Sequence, residues 1–267
     1  MKSLARLHFS PRDQGPVRVR TLPLLIGPSG VGKSHLVREL GRQLGVHVLK
    51  FTVGDWMIEC GRHEPSSYRR IRQQLERDEK VLVHIDELDK FELTDDSWTR
   101  ALFGEIFGLL DGSPGAVMKS PATGPAVGWT EQLVHRLKTR AFIVGSGTWQ
   151  SLYSQVRRPI GFCSGNGTQT VMNHEALTAR IRESEVIPPE LLNRFGGWIF
   201  LDPLTRDDFT RISHSLNLPS KVLDPALAEA SGLNFRYVEN VMTEKALRDL
   251  SWDAENFPWP DPSVKDS

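Results

Sequence analysis

Eight consecutive residues, Gly27-Pro28-Ser29-Gly30-Val31-Gly32-Lys33-Ser34, fit the pattern G-x-x-x-x-G-K-[ST]. Each residue type there has a chemical reason. The glycines let the backbone pass close to an anion and aim its N–H groups at phosphate oxygens. A helix starting at the end of the loop adds its positive dipole end. Lys33 can reach the β- and γ-phosphates of a nucleoside triphosphate, and Ser34 can offer a hydroxyl to Mg²⁺. A chain of this length meets the pattern by accident about once in a hundred. The dinucleotide fingerprint does not compete, because the glycines run G-x-x-G-x-G and not G-x-G-x-x-G. No G-x-S-x-G nucleophile elbow occurs in the chain.

A second stretch, "KVLVHIDELDKF", ends an apolar run in two acids, Asp86 and Glu87. Asp86 at a strand tip can hold Mg²⁺ through its water shell. Glu87 is placed to orient and deprotonate an attacking water. Alone, the acids read as a polar turn after a strand. Paired with the phosphate loop, they predict ATP hydrolysis rather than transfer to an acceptor. His84 within the run is read as a packed core histidine. The eight histidines form no H-E-x-x-H or other metal spacing, which argues against a zinc enzyme.

The elements that must position these groups follow from short apolar runs. Leu22 to Ile26 reads as a strand buried on both faces, and Leu36, Val37 and Leu40 follow the loop at helical spacing. Val81 to Ile85 and Phe142 to Val144 read as two further strands. The last puts Ser146 and Thr148 at its tip, where a hydroxyl could hold the attacking water; Thr148 is favoured, with Ser146 the alternative. Arg194 stands alone in "PPELLNRFGG". It could meet a phosphate, or pair with Glu190 four residues earlier on a short helix. Arg236 opens an apolar-periodic helix of Tyr237, Val238, Val241, Met242 and Leu247, where it could reach toward a phosphate or remain an exposed helix arginine.

The whole set resembles the AAA+ ATPases, in particular the branch of Clp-type and HslU-type unfoldases. "LPLLIGPSGVGKSHL" is similar to their Walker A and "VLVHIDELDKF" to their Walker B. "WTRALFGEIFGLLDG" is similar to the helix after Walker B, and "AFIVGSGTWQ" to sensor 1. "IGFCSG" is similar to an I-G-F segment of that branch. "IPPELLNRFGGWIFLDPLTRDDF" resembles the arginine-finger segment, and "LNFRYVENVM" resembles sensor 2. The resemblance implies ATP and Mg²⁺ as cofactors and an α/β fold: an αβα-sandwich P-loop NTPase domain with a small C-terminal helical lid. It implies that Arg194 serves the ATP of a neighbouring subunit, hence a homo-oligomer, expected as a ring of six, that remodels a protein partner. An arginine finger adds roughly 10³ to 10⁵ in rate.

Read this way, residues 1–202 form the large domain and 203–258 the lid, with helices expected at 205–217, 222–231 and 235–251. Thr205 and Asp208 make a capping box at the lid's start. Residues 259–267 read as a polar, proline-containing tail. Gly112 to Thr130 is a Pro/Gly-rich insertion. It reads equally as a plain excursion or as the substrate-facing pore loop that the resembling unfoldases carry at this point.

Composition sets further bounds. The chain has 267 residues, is 25% charged, and balances 33 Lys and Arg against 33 Asp and Glu. Zero net charge weighs against a mainly nucleic-acid-driven surface, which would show a basic excess. A nucleic-acid loader or motor stays as the rival reading, on Arg69, Arg70, Arg72 and Arg77; a third reading is a nucleotide-controlled assembly switch. Cys60 and Cys163 form no C-x-x-C pair, and no run is long and apolar enough for a membrane span. A cytoplasmic protein is expected. Two family features are missing. The region after the second strand has no aromatic–aliphatic–glycine pore loop, and no N-terminal substrate or zinc domain is expected ahead of Walker A. Both absences bear on polypeptide threading and leave the ATP chemistry untouched.

Overall fold

The computed structural model describes residues 1–10, 21–52, 54–55, 66–93, 97–114, 129–149, 174–183, 189–202, 204–215, 235–236, 238–240 and 242–243. Its frame is a five-stranded parallel sheet of β1 (Pro23–Ile26), β2 (His47–Thr52), β3 (Val81–Asp86), β4 (Ala141–Gly147) and β5 (Gly197–Phe200). The spatial order is β2-β3-β4-β1-β5. Strands in such a sheet carry near-continuous apolar runs because helices cover both faces. Here β1, β3 and β4 are buried along their whole length.

The period-two alternation of each strand sorts its side chains between two apolar clusters. Leu25, Leu82, Phe142 and Val144 point to one face, where they meet α1 (Lys2–Phe9) through Ala5 and α2 (Lys33–Leu44) through Val37 and Leu40. Leu24, Ile26, Val81, Val83, Ile85 and Ile143 point to the other. There they meet Tyr68, Ile71 and Leu75 of α3 (Ser66–Glu76), Ile106 and Leu109 of α4 (Ser97–Leu110), and Leu133 and Leu137 of α5 (Glu131–Arg140). Leu177 and Ile181 of α6 (His174–Glu183) and Leu191 and Leu192 of α7 (Pro189–Leu192) complete that side. Fully burying each such aliphatic side chain contributes about 1.5–3 kcal/mol. The result is an α/β P-loop NTPase-like fold.

Local chemistry sets the element ends. α2 stops at Gly45, which adopts φ 64° and bonds back to the Arg42 carbonyl, the left-handed stop that glycine makes without steric cost. Thr130 caps α5 by accepting the Leu133 N–H at 3.3 Å. The three strands expected from sequence are present, and β4 is longer than expected because Gly145, Ser146 and Gly147 extend it by pairing with β1. α1 and β5 have no counterpart among the sequence expectations.

The chain divides into two compact units, Met1–Asp202 and Pro203–Ser267. In the second, α8 (Arg206–Ser215) starts at the capping box: Thr205 N–H donates to Asp208 Oδ2 at 2.9 Å, and Asp208 N–H donates to Thr205 Oγ1 at 3.2 Å. The described residues between 235 and 243 are helical, and Val238 is buried. The helix expected at 222–231, the tail at 259–267 and most of the 112–130 insertion lie outside the described residues.

Gly145 is tightly enclosed within the β4 core. A Cβ there would sit 2.5 Å from Phe195 Cζ, 2.8 Å from Leu88 Cδ1 and 2.9 Å from Leu24 Cδ1. Gly145→Ala is therefore expected to destabilise the fold by about 1–3 kcal/mol, lowering Tm by about 2–4 °C per kcal/mol in a thermal melt. An unchanged Tm would mean that this core yields at no cost.

Candidate active site

The phosphate loop links β1 to α2. A Cβ on Gly27 would lie 2.8 Å from the Leu201 carbonyl oxygen and 3.2 Å from Val31 Cγ1, so the loop closes on a bare backbone. Gly30 and Gly32 adopt φ 77° and 97°, the left-handed region that side chains disfavour. Gly32 is the N-cap of α2, and Lys33 and Ser34 occupy its first turn. Lys33 is buried, and its ammonium donates to the carbonyls of Gly27 at 2.6 Å and Pro28 at 2.8 Å. Pro28, Ser29 and Val31 complete the turn, so Gly27 to Ser34 form one connected cradle at the carboxyl end of β1. In open α/β sheets the crevice beyond the strand ends is where ligands bind.

Asp86 is the hub beside that cradle. Ser34 Oγ donates to its Oδ2 at 2.9 Å. Lys50 Nζ lies 2.8 Å from the same oxygen. Ser146 Oγ donates to Oδ1 at 2.6 Å, and the Glu87 N–H donates to Oδ1 at 3.0 Å. Burial alone would raise the Asp86 pKa. The hydrogen bonds from Lys50, Ser146 and Ser34 and the field of His84 outweigh it and hold the carboxyl well below its ordinary range. The group stays ionised.

His84 lies one full strand period before Asp86, on the same face. Its Nε2 is 2.8 Å from Ser146 Oγ, so a serine that donates to Asp86 leaves Nε2 to donate to the serine. Burial, opposed by Asp86, pushes the His84 pKa down to about 4. The imidazole is neutral near pH 7 and works as a buried hydrogen-bond partner.

The two candidate hydroxyls at the β4 tip separate. Ser146 is buried on Asp86, whereas Thr148 Oγ1 donates to Asp89 Oδ2 at 2.5 Å. Glu87 follows directly, exposed, with φ 63°. A left-handed, non-glycine residue is costly, by about 1–3 kcal/mol, and such strain concentrates at functional sites. The turn aims the Glu87 side chain outward while its N–H serves Asp86.

Arg194 takes other partners. Its Nε is 3.0 Å from Asp111 Oδ2, its Nη1 donates to the Glu190 carbonyl at 2.6 Å, and its guanidinium lies 4.0 Å from the centre of the Phe107 ring. The Glu190 contact is to backbone, where the sequence alternative was a side-chain pair. Arg236 is exposed on the helical residues of the second unit. Two of the four arginines offered as a nucleic-acid surface are engaged locally: Arg70 lies 4.8 Å over Phe51, and Arg72 bonds Glu76 at 2.5 Å.

The oxygen set of Ser34 and Asp86 suits a hard cation such as Mg²⁺, which takes one or two protein oxygens and completes its shell with phosphates and water. Among the described residues no group of three or more His, Cys, Asp or Glu is gathered as a metal site. Sequence reasoning missed Lys50 and Asp111. Lys50 is visible as the polar member of the alternation Leu49-Lys50-Phe51, but its target appears only once β2 is known to pair with β3.

The parallel sheet and the glycine loop define an α/β P-loop nucleoside-triphosphatase fold. Residues 23–127 match the profile of the ATPase family associated with various cellular activities (AAA). The chain is also similar to the ATP-dependent Clp protease ATP-binding subunit ClpX of two Porphyromonas gingivalis strains. Each is 26% identical over 208 residues, covering 71% of this chain and 50% of the relative. The chain thus spans about half the length of the curated relatives it matches. These matches support an AAA+ ATPase. No described helix is long and apolar enough to cross a membrane.

Removing the Ser146 hydroxyl should leave a buried imidazole N–H and a carboxylate oxygen short of a partner. Ser146→Ala is expected to lower stability by about 1–3 kcal/mol in urea unfolding, with Thr148→Val costing less because that contact is only partly buried. The reverse order would remove Ser146 from its place between His84 and Asp86.

Proposed function

We propose that this chain is an AAA+ ATPase that couples hydrolysis of Mg·ATP to the remodelling of a protein partner, working as an oligomeric ring. The observation that carries the reading is the convergence of Lys33, Ser34, Asp86 and Ser146 at the carboxyl ends of β1, β3 and β4, with Glu87 turned outward beside them. The family match and the distant ClpX similarity support the same class of activity.

In this reading the backbone from Gly27 to Ser34 cradles the phosphates, and Lys33 leaves its carbonyl partners to meet the β- and γ-phosphates. Ser34 and Asp86 would hold Mg²⁺, which would supply positive charge to neutralise what develops on the phosphates. Glu87 takes the proton of the attacking water, and Thr148, or Ser146, positions that water. Arg194 stabilises charge on the ATP of a neighbouring subunit, and Arg236 senses the nucleotide from the lid. A ring suits this reading, since within its own chain Arg194 contacts Asp111 and Phe107 and not the Asp86 cluster.

Glu87→Gln is expected to bind ATP and lose hydrolysis by on the order of 10²- to 10⁴-fold, read by fluorescent-nucleotide binding beside phosphate release. Retained turnover would take Glu87 out of the role of base. Arg194→Ala and Lys33→Ala should each be inactive, for different reasons. Mixing them should restore part of the activity, since a mixed ring can contain an interface with both intact groups. Mixed rings that form and stay inactive would refute the assignment in trans. Stimulation of turnover by an unfolded protein, and not by DNA or RNA, is the outcome expected for a protein remodeller.

A further inference from the structure

Lys50 holds a position that the nucleotide chemistry does not account for. It is the outward residue between Leu49 and Phe51, which are buried in the sheet core. The pairing of Lys50 with His84 and of Thr52 with Asp86 sets β2 beside the tip of β3. The side chain, 48% exposed, reaches along that tip. Its ammonium lies 2.8 Å from Asp86 Oδ2 and donates to Ser34 Oγ at 3.3 Å, while Ser34 Oγ itself donates to that same Oδ2 at 2.9 Å. The three groups close a triangle. A positive charge already rests on the two oxygens that the proposed function gives to the divalent ion.

We propose that Lys50 is a built-in competitor for the divalent cation: its ammonium holds Asp86 and Ser34 when no metal is bound and must leave before a metal can use them. The inference rests on the reading of Ser34 and Asp86 as metal ligands. Two consequences follow from electrostatics. Without Lys50 the Asp86 charge is compensated less, so a divalent ion binds more tightly. Without Lys50 the same bare carboxylate repels nucleotide phosphates in the absence of metal, so metal-free nucleotide binding weakens. A purely structural role for Lys50 would move both quantities in one direction. Competition moves them in opposite directions.

The test uses the full chain and a fluorescent ATP analogue, titrated with Mg²⁺ and, separately, in EDTA. Lys50→Met and Lys50→Gln are expected to lower the half-saturating Mg²⁺ concentration by about two- to fivefold and to weaken binding in EDTA by a comparable factor, the scale of a partly exposed ion pair. Lys50→Arg keeps the charge and should stay near wild type. Lys2→Met, far from the cradle, is the control for loss of a lysine. Thermal melts check that each variant folds, and Lys50 is exposed enough that both neutral variants should. If wild type binds the analogue and the neutral variants show an unchanged or higher Mg²⁺ requirement, the competition is refuted while the nucleotide site stands. If no protein, wild type included, binds the analogue with Mg²⁺, the nucleotide reading itself fails and the inference falls with it.

Discussion

Asp86 has to remain charged at a strand tip that is mostly withdrawn from water, and the neighbouring structure answers that demand. An isolated carboxylate there would take up a proton, because burial disfavours the charged form. Instead its two oxygens collect the Ser34 and Ser146 hydroxyls, the Glu87 N–H and the Lys50 ammonium. Each donor comes from a different element: the first turn of α2, the end of β4, the turn after β3, and β2. The parallel sheet makes this convergence cheap, because every strand ends on the same side. Strand order then decides which ends are neighbours, and β3 lies between β2 and β4.

The same arrangement ties the cradle to the core. Gly27 bonds back to the Gly147 carbonyl and packs against Leu201, so the loop after β1 is fixed by the strand ends on both sides of it. His84 extends the polar network inward from Asp86 through Ser146, and its burial keeps it neutral. A buried polar chain with every member bonded rigidifies a site, whereas a half-bonded one would weaken it. The strained turn at Glu87 sits at the outer end of that chain. Rigid support on one side and a strained, exposed carboxylate on the other suit a group that must present itself to a small reactant.

Arg194 belongs to a separate construction. Phe107 and Asp111, at the end of α4, give its guanidinium a flat apolar surface and a carboxylate, and the Glu190 carbonyl fixes a third direction. This links the helix that follows β3 with the segment that leads into β5.

The sequence alone determined the nucleotide cradle, because Gly27 to Ser34 is a contiguous stretch in which each residue type answers a local need of backbone or charge. Strands β1, β3 and β4 were legible as apolar runs, Asp86-Glu87 as the acids ending one of them, and the Thr205–Asp208 box as a helix start, all of them short-range patterns. α1 and β5 were not read, since an eight-residue helix and a four-residue strand of partly buried residues carry little periodic signal. Ser146 and Thr148 were alternatives for the hydroxyl that holds the attacking water, and residues two apart share a strand face; the structure separates them because β4 ends at Gly147, with Ser146 bonded to His84 and Asp86 and Thr148 beyond it bonded to Asp89. Lys50 and Asp111 were hidden for a further reason. Their partners, Asp86 and Arg194, are 36 and 83 residues away along the chain, and no local pattern encodes which strand end or helix end lies beside which. Only the tertiary fold brings the charges within 3 Å of one another, and at that range they decide the chemistry.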